Sequence, residues 1–158
     1  MTTTMPPTFR ELSPDEARAL LRAHHVGRIA YTWHGQVDIE PIHYVYDEGA
    51  IYLRTSVGAK LLTLRHSPWV AFEVDEVHGR YAWRSAVAHG TVYELRPEGT
   101  PADRRAYERA LALLREHDPH ALTPEDPVPW RTVLVQLGVD HLRGREAHGA
   151  PGDRTGSD

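Results

Sequence analysis

The chain has 158 residues, the length of a single domain that can bury its own hydrophobic core. It contains no cysteine, which excludes disulfides, thiolate metal sites and a cysteine nucleophile. Its net charge of −4 argues against a general nucleic-acid binder. No stretch approaches the roughly 20 apolar residues of a membrane helix, and residues 1–7 lack the hydrophobic region of a signal peptide. We therefore expect a cytoplasmic protein that binds neither nucleic acid nor a membrane.

Three segments have apolar residues at helical spacing. The first covers residues 13–24 and opens with Ser13 and Glu16, which have the spacing of a capping box. A short helix is predicted over residues 58–66 and a longer one over residues 101–117.

Six segments have the β-branched and aromatic composition of strands: residues 26–33, 36–46, 50–55, 69–75, 80–95 and 132–139. Hairpin-sized turns join several of them, which favours an antiparallel arrangement. The prediction is a mainly β fold with peripheral helices, a six-stranded antiparallel barrel. Pro41 indicates an edge or a bulge, and Gly90 indicates a bulge or a tight bend. We assign residues 1–8 to a flexible arm, 9–145 to the domain and 146–158 to a disordered tail.

Common catalytic motifs are absent from the sequence. It contains no G-x-G-x-x-G, no P-loop, no G-x-S-x-G and no H-E-x-x-H, so Rossmann, phosphoryl-transfer and hydrolase chemistry lose their main support. The 11 histidines are scattered, and the group at His117 and His120 brackets a proline turn instead of sharing one helix face. We therefore expect no metal site.

One segment combines the groups that hold a phosphate. A predicted strand ends in Arg54, Thr55 and Ser56, and Gly58 then opens a short helix with Lys60 in its first turn. Lys60 is the only lysine in the chain. Two cations, two hydroxyls and the free amides of a helix N-terminus suit a phosphate dianion. A polar turn before a helix would have the same composition, so both interpretations remain open at this stage.

Two further segments could contact a planar ring. Trp83 and Ser85 lie on the same face of a predicted strand, where the indole offers a flat apolar surface. The alternative is that Trp83 simply packs in the core. The stretch from Glu40 to Tyr44 contains Pro41, and its edge or bulge would free backbone groups for a ligand. An ordinary edge strand is the alternative there.

Taken together, the chain resembles the pyridoxamine 5'-phosphate oxidase-like FMN-binding split-barrel family, and most closely its nitroimidazole-reductase-like branch. The resemblance covers roughly residues 12–95. It rests on five segments in order: Val26 to Tyr31, Pro41 to Tyr44, Ile51 to Lys60, Phe72 to Asp75 and Trp83 to Gly90.

The resemblance implies a homodimer with two flavins at the subunit interface. Lys60 would meet the flavin phosphate. The remaining cofactor-binding residues that it implies are Arg54, Thr55 and Ser56 at the phosphate, Pro41, Ile42, His43 and Tyr44 along the ring, and Trp83 and Ser85 along the ring or the ribityl chain. True vitamin B6 oxidases carry an Arg-Lys pair where this chain has Ala59 and Lys60, so we do not expect that activity.

The expected function is an FMN-dependent oxidoreductase that passes hydride from a nicotinamide through FMN to a small organic acceptor. A deazaflavin-dependent reductase on the same barrel is the first alternative. A non-catalytic flavin or haem carrier is the second, with His43 or His89 as the axial ligand to test. No catalytic residue is assigned.

Overall fold

A computed structural model describes residues 5–149 of the chain. Three helices are present in this part: α1 (Pro14–Ala23), α2 (Ala59–His66) and α3 (Pro101–Arg115). Seven strands accompany them: β1 (Thr8–Leu12), β2 (Val26–Trp33), β3 (Gln36–Asp47), β4 (Ala50–Thr55), β5 (Trp69–Gly79), β6 (Ala82–Leu95) and β7 (Val133–His148). All three predicted helices are confirmed, and the capping box between Ser13 and Glu16 is formed.

The sheet is antiparallel and has the order β1-β7-β4-β3-β2-β5-β6, with a further pairing between β6 and β7. That pairing closes the six strands β2–β7 into a ring, which confirms the predicted mainly β barrel. The sheet nevertheless has seven strands and not six, because β1 adds to the far end of β7, where Thr8 faces His148.

Both ends of the domain extend beyond the predicted strands. Residues 8–12 form β1, which the sequence analysis placed in no strand. The last strand was predicted to end at Val139 but continues to His148, so residues 146–148 belong to the sheet and not to a tail. The predicted arm and tail otherwise fall largely on residues 1–4 and 150–158, which lie outside the described residues.

The barrel is split along β3, which changes its partner halfway. Residues 36–43 pair with β2, whereas residues 44–47 pair with β4. The first stretch of β3 therefore has a neighbour on one side only, and its other backbone edge is open. Pro41 lies in this stretch, in agreement with the predicted edge position. A cavity lies at this open edge, and we call it the main cavity because most of the predicted site residues line it.

Two hydrophobic clusters hold the fold. The larger fills the barrel beneath α1, and its fully buried side chains include Leu21, Ile29, Ile51 and Phe72. The smaller lies on the other face of β4, where Leu114 and other apolar side chains of α3 cover Val45 and Tyr52 and their neighbours. Within residues 5–149, no helix has the length and apolar character needed to cross a membrane.

The bulge predicted at Gly90 is present, because the pairing of β6 with β7 shifts register between His89 and Gly90. A Cβ at position 90 would overlap the carbonyl oxygen of Gly138 on the facing strand. We expect Gly90→Ala to lower the free energy of unfolding by about 1–3 kcal/mol, since the backbones must separate. Urea denaturation measures this change. Gly138→Ala is the matched control, because its Cβ would meet nothing closer than Tyr93 at 3.9 Å. Equal stability of the two variants would contradict the close approach.

Candidate functional site

A cavity of about 340 Å³ lies at the split between β3 and β4. Seven of the predicted site residues line it together: Pro41, Ile42, His43, Arg54, Thr55, Ser56 and Lys60. Val26, Trp130 and Arg131 complete its lining. The residues come from the start of β2, the unpaired stretch of β3, the end of β4, the start of α2 and the loop before β7. Seven of the ten predicted residues, which lie in separate segments of the sequence, therefore line one cavity.

The start of α2 lies beside this cavity, which Ser56 and Lys60 line. The residue before the helix is Gly58, which provides no side-chain cap. The first amides of a helix have no carbonyl partner within the helix, so they carry partial positive charge. Lys60 stands in this first turn and lines the cavity. This arrangement suits an anion with several oxygen atoms.

Lys60 is the cation at the centre of this arrangement. Its side chain is 27% exposed and its ammonium forms an ion pair with Glu40. Partial burial lowers the pKa of Lys60, and the positive charge of Arg131 lowers it further. Two cations thus lie close enough to repel each other. An anion bound between them would relieve that repulsion.

Arg54 has a different role from the one that the resemblance implied. The side chain is 7% exposed, and its guanidinium donates to the carboxylates of Asp126 at 2.6 Å and Asp118 at 3.3 Å. It also donates to the carbonyl oxygens of Val128 at 3.1 Å and Arg131 at 3.0 Å. Its charge is therefore compensated within the protein. Arg54 forms a wall of the cavity and fixes the loop before β7, and it is not a free cation for a phosphate.

Asp126 forms the other half of this buried pair. Its carboxylate accepts hydrogen bonds from the backbone amides of Leu122 and Val128 as well as from Arg54. These bonds, that from Arg54 first, lower the pKa of Asp126 to about 2. The loop is thus fixed by a charge-assisted network that joins it to the end of β4.

Trp130 and Arg131 are the site residues that the sequence analysis missed. Arg131 has no carboxylate within ion-pair distance among residues 5–149, so its charge remains available at the cavity. Trp130 is 61% exposed at the rim. The one sequence signal was a Trp-Arg dipeptide directly after the Pro-rich segment of residues 119–129, and no local pattern indicated that this segment lies against the end of β4.

Three predicted residues do not line the cavity. Tyr44 is buried, and its hydroxyl donates to the carbonyl oxygen of Leu21 at 2.6 Å, while burial raises its pKa. Trp83 lies on β6 and packs against Phe9, with ring centroids 6.3 Å apart. Ser85 donates to Glu73 at 3.2 Å. The structure therefore separates these two β6 residues from the residues around Lys60 within one chain.

The two histidines considered as haem ligands lie apart. His43 lines the main cavity, whereas His89 lies beside Trp69 and faces His141 across β6 and β7. Among residues 5–149, no group of three or more histidine or carboxylate side chains is placed to hold a metal ion.

The chain thus has the fold class of a split antiparallel barrel, with a cationic cavity at its open strand. Residues 13–146 match the sequence profile described as pyridoxamine 5'-phosphate oxidase. The chain belongs to this family, which confirms the resemblance.

Several solved structures are similar in fold to this chain. A FAD-binding protein from Mesorhizobium loti is 28% identical, with a TM-score of 0.71 over 90% of this chain and 98% of that one. A FAD-binding protein from Mycobacterium smegmatis is 24% identical, with a TM-score of 0.60 over 88% and 99%. A putative 5-nitroimidazole antibiotic resistance protein from Bacteroides thetaiotaomicron is 16% identical, with a TM-score of 0.69 over 93% and 92%. No curated protein matches the chain.

Proposed function

We propose that this protein binds a flavin, with the flavin phosphate held between Lys60, Arg131 and the first turn of α2. The observation that carries the proposal is that Lys60, in the first turn of α2, and Arg131 line one cavity. Thr55 and Ser56 add hydroxyl groups on the same side. Charge-assisted bonds of this kind are those that bind phosphate most strongly. The FAD-binding proteins of the same fold support this assignment.

The flavin ring would then lie along the unpaired stretch of β3. Pro41, Ile42 and His43 line the cavity there, and the backbone of this stretch has one open edge. Open backbone amides and carbonyls suit the alternating donors and acceptors of a flavin's pyrimidine edge. The residues present therefore fit both ends of a flavin mononucleotide unit.

When bound, the flavin would supply two-electron redox chemistry, and we propose hydride transfer from a nicotinamide to a small organic acceptor. The protein's own residues would bind the flavin and fix its orientation. Lys60 and Arg131 anchor the phosphate, and Pro41 to His43 set the position of the ring. We place this chemistry in the cytoplasm, which suits a chain without cysteine.

The first test is a visible absorption spectrum of the purified full chain, with mass spectrometry of any chromophore that denaturation releases. We expect a flavin spectrum and a released FMN or FAD. A released deazaflavin would keep the site and change the cofactor. A colourless protein that binds neither added FMN nor added FAD would contradict the proposal.

We also propose a homodimer that closes the cavity. Trp130 and Val26 at the cavity rim are 61% and 46% exposed, so a single chain leaves part of a bound ring in water. Trp83 offers an aromatic surface on β6, and its neighbour across the sheet, Val77, is 67% exposed. Trp83 and Ser85 of one chain would contact the flavin held by the other.

Sedimentation equilibrium tests the dimer. We expect a mass of about twice the 17.9 kDa of one chain. Trp83→Ala should then weaken flavin binding although Trp83 does not line the cavity of its own chain. A monomeric flavin complex would contradict the dimer, and unchanged binding by Trp83→Ala would contradict the role of Trp83.

A further inference from the structure

Lys60 has a chemical property that its proposed role as a phosphate contact does not use. It is the only lysine of the chain, so it carries the only side-chain amine. This side chain is 27% exposed and lines the main cavity, so a small molecule in the cavity lies beside it. A lysine amine in such a position is a nucleophile once it has lost its proton.

The surroundings of Lys60 favour the loss of this proton. Burial lowers the pKa of Lys60, and the positive charge of Arg131 lowers it further, whereas the negative charge of Asp38 acts in the opposite direction. The net shift is downward, so a larger share of Lys60 is neutral at a given pH than of an exposed lysine. Only the neutral amine has the lone pair that attacks a carbonyl carbon.

Glu40 is placed to accept the proton. Its Oε1 atom forms the ion pair with the ammonium of Lys60. This oxygen is buried, and apart from the ion pair it has no partner among the described residues. The pair stabilises the ammonium, but it also keeps a carboxylate in contact with the nitrogen. A base in contact with the nucleophile is the arrangement by which proteins activate such groups.

The same cavity holds groups that suit the phosphate of a small reagent. Arg131 has no carboxylate within ion-pair distance among residues 5–149, and Thr55 and Ser56 add hydroxyl groups. Donors of this kind bind a phosphate dianion. An acyl phosphate carries such a dianion directly attached to an activated carbonyl carbon. With its phosphate on these donors, its carbonyl carbon would lie beside Lys60.

We propose that Lys60 is a site of acylation by acyl phosphates, which the main cavity binds through their phosphate group. Glu40 takes one proton from the ammonium, and the freed lone pair forms a bond to the carbonyl carbon. The bond between this carbon and the phosphate oxygen breaks. Inorganic phosphate leaves with the second proton that the nitrogen loses. The product is a neutral amide at Lys60.

The consequence for the cofactor rests on the proposed flavin site. Acylation removes the positive charge of Lys60 and leaves Glu40 without its partner. We expect the acylated chain to bind FMN about 10- to 100-fold more weakly, the effect of losing one charge-assisted hydrogen bond. Bound flavin would in turn shield the amine. The supply of acyl phosphate would thus control the loading of the protein with flavin.

The test treats the full chain, after removal of any bound flavin, with acetyl phosphate and follows acetylation by mass spectrometry. The α-amino group is the internal reference, because its ordinary pKa of about 8 makes it more reactive than an unassisted lysine. We expect Lys60 to react faster than the α-amino group, at a rate that saturates with acetyl phosphate and falls when inorganic phosphate is added. A slower reaction at Lys60, or a rate that neither saturates nor responds to inorganic phosphate, would overturn the inference.

Glu40→Gln tests the proton transfer. Removal of the negative charge lowers the pKa of Lys60 and by itself would speed acetylation, whereas loss of the base slows it. We expect the reaction to slow by about tenfold or more. Glu94→Gln is the matched control, since Glu94 pairs with Arg65 further along α2 and does not line the main cavity. Acetylation that becomes faster in Glu40→Gln would contradict the role of Glu40.

Added FMN separates this inference from the proposed function. We expect FMN to protect Lys60 from acetyl phosphate. Fast and phosphate-sensitive acetylation that FMN does not slow would support the acylation site and contradict the flavin site. If FMN binds tightly but Lys60 of the flavin-free chain reacts no faster than the α-amino group, the acylation site is wrong and the flavin site stands.

Discussion

Replacement of Lys60 by alanine is expected to weaken flavin binding by about 10- to 100-fold, the effect of removing one charge-assisted hydrogen bond to an anion. The loss has two causes. The ammonium near the phosphate is removed, and Glu40, with which it now forms an ion pair, is left as an unpaired carboxylate close to the cavity. The measurement is the dissociation constant of FMN from fluorescence titration of the variant.

The matched control is Arg65→Ala. Arg65 lies on the same helix and also pairs with a glutamate, Glu94, but it does not line the main cavity. This variant should bind FMN as the unchanged protein does. A double variant, Lys60→Ala with Glu40→Gln, should recover part of the affinity because the unpaired carboxylate is gone. If Lys60→Ala binds FMN with unchanged affinity, Lys60 does not hold the phosphate.

The second large effect is expected on stability. Arg54→Met removes the one cation from a buried network and leaves polar partners without compensation. Loss of one partner from a buried ion pair typically costs about 3–5 kcal/mol, and we expect a decrease of this size in the free energy of unfolding. Urea denaturation of the full chain measures it. The protection of loop amides from hydrogen exchange should fall together with it, because the guanidinium holds two of the loop's carbonyl oxygens.

Arg109→Met is the control for this variant. Arg109 pairs with Asp47 and Glu48 on the surface, where solvent screens the charges. Its replacement should leave the urea midpoint essentially unchanged. A result in which Arg54→Met unfolds at the same midpoint as Arg109→Met would contradict the structural role of Arg54. It would return this residue to the set of candidate phosphate ligands.

Most of the barrel was predictable because its signals are local. Hairpin turns, strand composition and caps all act over a few residues, and they located three helices and six strands. β1 was missed for a physical reason. Four of its five residues are exposed, so it has no apolar alternation, and its stability depends on pairing with residues 144–148. The end of β7 was missed for the same reason, since this part of the strand depends on β1 and β6.

The site was predictable where its residues are adjacent in sequence. Arg54 to Lys60 and Pro41 to His43 were found because each run is continuous. The contribution of Arg131 was not visible, since it depends on a loop that a distant ion pair positions. Arg54 was assigned to the phosphate because its ion pair with Asp126 is not visible in the sequence. An arginine beside a cavity has the same sequence signature whether its charge is free or already paired within the fold.

The central place of β7 has a consequence for synthesis of the protein. β7 pairs with β1, β4 and β6, and its partners in β1 lie up to 140 residues away along the chain. The ring cannot close until residues 134–138 of β7, which pair with both β4 and β6, have left the ribosome. Until then β4 and β6 each present an unpaired edge, and closing such long loops slows folding. The nascent chain is therefore most exposed to aggregation just before its last strand is made, and a chaperone that shields strand edges would act at that stage.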